Sequence, residues 1–137
     1  MKHSRHWRRR VDDGICWLTF DKADSSVNTL SQETLDELEQ ELAALLEPNV
    51  RGLVIESGKS SGFIVGADVK EFARLENAAQ GSAIAARGQA LLARIAALGV
   101  PSVAAIDGFA LGGGLELALA CRRPARRSPA WLRRRAP

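Results

Sequence analysis

Acidic side chains are missing from both ends of this 137-residue sequence. Residues 1–10 hold five Lys/Arg and no acid, residues 121–137 hold seven Arg and no acid, and no Asp or Glu follows Glu116. The other seven basic and all sixteen acidic residues fall in 11–120, so the formal charge of +3 divides into basic ends and a middle of net −9. The isoelectric point near 9.3 therefore belongs to the ends. Cysteine is scarce: Cys16 and Cys121 stand alone, without a CxxC pair or a histidine companion, which excludes a disulfide framework and a zinc knuckle and fits structural thiols in a reducing compartment. No apolar run approaches the roughly 20 residues of a membrane span, and Ile15–Phe20 is too short for the core of a signal peptide. The arginine-rich start imitates a transit peptide, but a strand-like run follows at once. A cytoplasmic location is expected. His3 and His6 have no third ligand nearby in sequence, so no metal site is expected. There is no internal repeat and no linker within 11–120, and the length suits one domain with a moderate core.

What is present alternates between two periodicities. Ile15-Cys16-Trp17-Leu18-Thr19-Phe20 is β-branched and aromatic and ends at the polar stretch Asp21–Ser26, which predicts a strand and a turn. Ser31 is placed to cap a helix whose Leu35, Leu38, Leu42 and Leu45 recur at spacings of three and four until Pro48. Residues 51–57 predict a buried strand, and 58–62 a loop. Asp68 can cap a short helix in which Lys70 and Glu71 face solvent. An alanine-rich segment from about Asn77 to Leu98 sets Ile84, Leu91, Ile95 and Leu98 on one face and ends at Gly99 and Pro101. Residues 102–106 predict an apolar strand, and 115–120 a buried helix. This order is that of an α/β fold. From residue 122 onward the texture changes to Arg, Pro, Ala and Trp with neither periodicity, which predicts a disordered tail.

The run Ile106-Asp107-Gly108-Phe109-Ala110-Leu111-Gly112-Gly113-Gly114-Leu115-Glu116 joins a strand to a helix through three glycines and then a carboxylate. Glycines let the backbone approach a ligand, and the helix start offers unpaired N–H groups with a dipole that favours negative charge. The common phosphate fingerprints fail: there is no GxxxxGK[ST], and Leu117 stands where GxGxxG requires a third small residue. Gly66-Ala67-Asp68 supplies a second helix start with a backbone N–H. Two such donors can stabilise an enolate or tetrahedral oxyanion, and Glu116 in the first helical turn can move a proton beside it. Close helix–strand packing is the alternative reason for the glycines.

The paired segments Phe63–Phe72 and Val103–Ala118, with Trp17–Lys22 and Val27–Ser31 before them, closely resemble the crotonase (enoyl-CoA hydratase/isomerase) superfamily over residues 7 to 121. The N-terminal text is most similar to the hydratase region of bacterial multifunctional fatty-acid oxidation α subunits. The resemblance implies a partial crotonase-like spiral of ββα turns over 11–121, between a basic extension (1–10) and an Arg/Pro-rich tail (122–137). It implies trimers, hexamers or fatty-acid oxidation complex subunits as partners and an acyl-CoA thioester as ligand, with no separate cofactor. By the same resemblance Ala67 and Gly113 form the oxyanion hole and Glu116 is a catalytic acid/base. Lys22, Ala23, Val65, Gly66, Asp68 and Gly112 match stretches that line the substrate and coenzyme A groove, although Lys22 also suits a solvated face.

One departure accompanies the match. The superfamily places a second glutamate about twenty residues after the first, where this sequence has Ala136. The change of texture after Cys121 is what a shifted reading frame in GC-rich coding sequence produces. The expectation is an impaired, truncated hydratase of fatty-acid β-oxidation, or else a non-catalytic chain that binds acyl-CoA or a partner subunit. Single-glutamate double-bond isomerisation is intermediate between these. Arg122, Arg123, Arg126, Arg127 and Arg133–Arg135 could bind nucleic acid electrostatically, but no recognition motif accompanies them and no nucleic-acid partner is expected. With half the superfamily's usual length, exposed apolar area and self-association are expected.

Overall fold

The computed structural model describes residues 4–45 and 48–126. Strand β1 (Trp7–Asp12) turns through Asp13 and Gly14 into β2 (Ile15–Phe20), followed by helix α1 (Gln32–Ala44), β3 (Gly52–Ser57), the single-turn α2 (Val69–Phe72), α3 (Ala78–Ala96), β4 (Ser102–Ile106), α4 (Gly113–Ala120) and β5 (Arg123–Arg126). The five strands form one sheet in the order β1-β2-β3-β4-β5, antiparallel between β1 and β2 and parallel elsewhere. Among the described residues, no helix is long and apolar enough to cross a membrane.

Ser31 caps α1 as its sequence predicts: its hydroxyl accepts from the Thr34 N–H while Thr34 Oγ1 accepts from the Ser31 N–H, a reciprocal capping box. Leu35, Leu38, Leu42 and Leu45 all face inward, and from α3 Leu91 and Ile95 join them. These side chains meet Leu18, Phe20, Leu53, Ile55 and Ala104 of the sheet to form one core. The sheet leaves half-exposed alternate residues such as Trp17 and Val54 on its other face.

Two expectations at the ends change. The basic stretch read as an extension supplies Trp7–Arg10 to β1, because Trp7 is buried, stacks on Phe20 at 4.4 Å between ring centroids and donates its indole N–H to the Thr34 carbonyl at 3.0 Å. Only one side chain of β1 had to be apolar, since its remaining residues lie exposed on an edge strand. Within the stretch read as a structureless tail, Arg123–Arg126 pairs with β4, Val103 opposite Arg123 and Ile106 opposite Arg126. An edge strand tolerates Pro124 because one side of its backbone needs no partner. Residues 127–137, including Arg127 and Arg133–Arg135 of the expected arginine cluster, Trp131 and Ala136, lie outside the described residues, as does His3. The helix at 115–120 is also less buried than its composition suggests: Leu117 and Ala118 are inside, whereas Leu115 and Leu119 are exposed.

A second, shorter set of extended segments follows the main strands. After β2, residues 28–30 run beside 65–68, which follow β3; Ile64 in turn pairs with Ala110, which follows β4. Strands β2, β3 and β4 are thus each succeeded by a short extended segment and then a helix, the ββα repeat that the resemblance implies.

Candidate functional site

The starts of α2 and α4 meet through this secondary ladder. In the Leu30–Ala67 bridge the Leu30 N–H donates to the Gly66 carbonyl at 2.8 Å, and the Asp68 N–H donates to the Leu30 carbonyl at 2.9 Å. The ladder therefore uses the groups flanking Ala67, and the Ala67 N–H points away from Leu30. Before α4, Gly112 turns with φ +50°, a backbone region that favours glycine, and the helix begins at Gly113. The Gly114 N–H bonds back to Leu111 and the Glu116 N–H to Gly112, while the Gly113 N–H is among the donors that a helix leaves unused at its start. Among the described residues neither the Ala67 nor the Gly113 N–H donates a hydrogen bond.

These two helix starts can approach because residue 114 has no side chain. A Cβ there would stand 2.6 Å from Ile64 Cβ and nearer still to the Ile64 carbonyl oxygen. Packing is thus part of the reason for the glycine run, and it brings Gly113 to the same place as Ala67. Both line a cavity of about 250 Å³ together with Glu116. Its remaining wall is largely apolar, built from α1 (Leu35, Leu38), α2 (Phe72) and α3 (Ile84, Leu91, Leu92). Two unpaired N–H donors, the Glu116 carboxylate beside them and a largely apolar chamber form an arrangement suited to a polarised carbonyl carrying a hydrocarbon chain.

The other expected residues do not line this cavity. Lys22 is not on a solvated face: its ammonium binds Asp68 at 2.9 Å and Thr29 Oγ1 at 2.7 Å, with its side chain only 13% exposed. That ammonium, acting first through its hydrogen bond, holds the Asp68 carboxyl below its ordinary value, and the Lys70 N–H reinforces it as Asp68 caps α2. Burial opposes this shift without overcoming it. The Ala23 N–H is taken by His6 Nδ1 at 3.0 Å, and the Val65 N–H by the Asn28 carbonyl at 2.9 Å. Gly66 and Gly112 contribute carbonyls to the loop bonds already described. Together these residues brace the two helix starts from behind.

Three residues to which the sequence assigns no site role prove central to this bracing. Asn28 is buried; its amide donates to the Phe20 carbonyl, Ser57 Oγ and the Phe63 carbonyl at 2.9–3.0 Å, and its oxygen accepts the Lys22 N–H. Lys59 holds the loop after β2 through Asp21 Oδ1 and the carbonyls of Lys22 and Ser25, and lowers the Asp21 pKa chiefly by that hydrogen bond. Glu71, expected to face solvent, lines the cavity, and both its oxygens accept the Gln32 N–H at the start of α1. A polar residue shortly before a helix cap was the available signal for Asn28; Lys59 and Glu71 offered none, because their partners are 34 or more residues away in sequence.

His6 is buried, and its ligand atom lies within 4.8 Å of those of Glu33 and Glu37. Nδ1 accepts the Ala23 N–H, which places the neutral ring's proton on Nε2, 3.3 Å from Glu33 Oε2. The ring therefore turns an N–H, not a lone pair, toward the carboxylates, and the donor set does not suit a cation.

Comparison with known proteins identifies the family and the fold. The sequence profile of the enoyl-CoA hydratase/isomerase family matches residues 10–123. The chain is 45% identical over 117 residues to the fatty acid oxidation complex subunit alpha of Aliivibrio fischeri, and 41% identical over 113 residues to that of Shewanella frigidimarina. These matches take in 80% and 82% of this chain but 16% of each relative. A crystal structure of enoyl-CoA hydratase from Bacillus anthracis superposes with a TM-score of 0.81 at 29% identity, covering 88% of this chain and 46% of that one. The chain thus spans a sixth of the length of these curated relatives and about half of the solved fold.

Proposed function

Because the chain belongs to the enoyl-CoA hydratase/isomerase family, we propose that it binds a 2-enoyl-CoA thioester and promotes addition of water across the 2,3-double bond. The observation that carries this reading is the shared cavity of Ala67, Gly113 and Glu116. The thioester oxygen accepts hydrogen bonds from the Ala67 and Gly113 N–H groups, drawing electron density from C3. As a water oxygen bonds to C3, the Glu116 carboxylate takes its proton, and the π electrons pass through C2 to the thioester oxygen. The enolate then collapses as C2 takes that proton back from Glu116, which restores the carboxylate and completes the net addition of water. Each backbone donor aimed at that oxygen contributes about 3–4 kcal/mol in comparable sites. The sum of these steps transfers no electrons to or from a third species, so the proposal calls for no cofactor, and coenzyme A belongs to the substrate. Its nucleotide end would lie beside the braced segments at Lys22–Ala23 and Val65–Asp68.

A second reading is binding without turnover. It is favoured by Ala136 standing where the resemblance places a second glutamate and by the engagement of both Glu71 oxygens with the Gln32 N–H, which leaves Glu116 as the carboxylate available for proton transfer at the cavity. Calorimetric titration with crotonyl-CoA, followed by loss of the enoyl thioester absorbance, separates the two. Saturable binding with turnover supports hydration, binding alone supports the second reading, and no binding refutes both. If hydration holds, Glu116→Gln lowers turnover by about 10²–10⁴-fold while leaving affinity for a saturated acyl-CoA unchanged. Assembly with further subunits, in the cytoplasm, completes the proposal. Phe109, Leu111, Leu115 and Leu119 are exposed beside the site and support a covered surface there.

A further inference from the structure

Helix α3 carries a glycine in its interior whose absence of a side chain serves no packing need. A Cβ built at Gly88 meets no atom within 4 Å, in contrast to Gly114. Glycine is the poorest helix former after proline, so an interior glycine without a close neighbour asks for another reason. Gly88 and Ala85, one turn apart, face the cavity, where Ile84, Leu91 and Leu92 form the larger flanking surfaces. The small pair is a recess in an otherwise bulky wall, in the same chamber as Ala67 and Gly113.

We infer that Gly88 sets the depth of an acyl-chain chamber and that the preferred ligand is a medium-chain acyl-CoA of roughly eight to ten carbons, an inference that rests on the thioester reading above. The size follows from volume. A dry apolar cavity of about 150 Å³ accepts benzene, which is roughly 25 Å³ per non-hydrogen atom. The present 250 Å³ then holds about ten such atoms, the carbonyl oxygen included. Leucine in place of Gly88 adds four carbons, which consumes about 100 Å³ on the same scale and leaves room for about six.

Titration of the full chain with butyryl-, octanoyl- and palmitoyl-CoA tests this directly. For the unaltered chain, affinity rises roughly fourfold per methylene from butyryl to octanoyl and then levels off toward palmitoyl. Gly88→Leu keeps the butyryl-CoA affinity and loses most of the gain at octanoyl, a drop of roughly 60-fold. Retained butyryl-CoA binding shows that this variant is folded with its carbonyl site intact; if it is lost, Gly88→Ala replaces it and must lower octanoyl-CoA affinity with butyryl-CoA binding kept. Butyryl-CoA binding that does not strengthen at octanoyl overturns the inference alone, as does a chain-length profile unaffected by substitution at Gly88. Failure of every acyl-CoA to bind the unaltered chain removes the thioester reading itself.

Discussion

Alanine in place of Gly114 and of Gly88 should shift stability in opposite directions, although both glycines are helical. At position 114 the added Cβ lies 2.6 Å from Ile64 Cβ and 2.9 Å from the Ile64 carbonyl carbon. Ile64 cannot easily move: it is fully buried, its N–H donates to the Phe109 carbonyl at 3.2 Å, and its own carbonyl accepts the Leu111 N–H at 3.0 Å. Overpacking of this kind costs about 1–3 kcal/mol, and stretching the Leu111–Ile64 bond adds about 1 kcal/mol. Improved helix propensity returns at most about 1 kcal/mol. Gly114→Ala should therefore destabilise by about 1–3 kcal/mol. Gly88→Ala, which meets open space, should stabilise by about 0.5–1 kcal/mol. Urea unfolding followed by far-ultraviolet circular dichroism, with equal slopes for all three chains, measures both. Because α4 must move outward to accommodate a methyl group at 114, acyl-CoA affinity of the folded Gly114→Ala chain should fall as well. A Gly114→Ala chain as stable as the original, or two substitutions with the same sign, would refute the view that close approach to Ile64 fixes the glycine.

The Lys22–Asp68 pair predicts a pH signature. Since the folded Asp68 pKa lies below 3.8, its contribution is complete above that value and is lost as pH falls through the folded pKa. The stability difference between the original chain and Asp68→Asn, which preserves a capping side chain, should stay constant from about pH 8 to 5 and close below about pH 4; a difference unchanged in acid would show that the ion pair contributes nothing. Cys121 is buried, and burial pushes its thiol pKa up to about 11 against a weaker opposing hydrogen bond with Ser102. Native protein at pH 8 should resist a thiol-alkylating reagent and react at Cys121 only across the urea transition, so prompt native labelling there would contradict the packing of β4 on α4. Asn28→Ala leaves the Phe63 carbonyl and the Lys22 N–H without their partner, removes one of the two donors to the Phe20 carbonyl, and should cost about 2–4 kcal/mol, read as a lower urea midpoint.

The sequence discloses most where one residue's role is settled by its near neighbours. Ser31 and Thr34, three residues apart, define the capping box, and Leu35, Leu38, Leu42 and Leu45 trace the buried face of α1 by spacing alone. Strand β1 was hidden because Arg8-Arg9-Arg10 reads as a solvated run, yet the Asp13-Gly14 turn, with φ of +49° and +75°, is the local signal of a hairpin that requires a strand on each side. Strand β5 has no such signal: its pairing depends on backbone groups of β4 that lie 20 residues earlier, and proline and arginine side chains give no alternation to read. The same distinction governs the site. Ala67, Gly113 and Glu116 sit at helix starts whose glycines are visible in the chain, so their meeting in one cavity was foreseeable. Lys22 was not, because its charge is matched by Asp68, 46 residues away, and a lysine after a strand looks the same whether its ammonium is free or bound. The consequence for chemistry is specific. A cation already neutralised by a carboxylate it helps to keep ionised is a poor anchor for a ligand phosphate, so the affinity of this site should come from the two backbone donors and the apolar chamber, and should depend more on acyl length than on ionic strength.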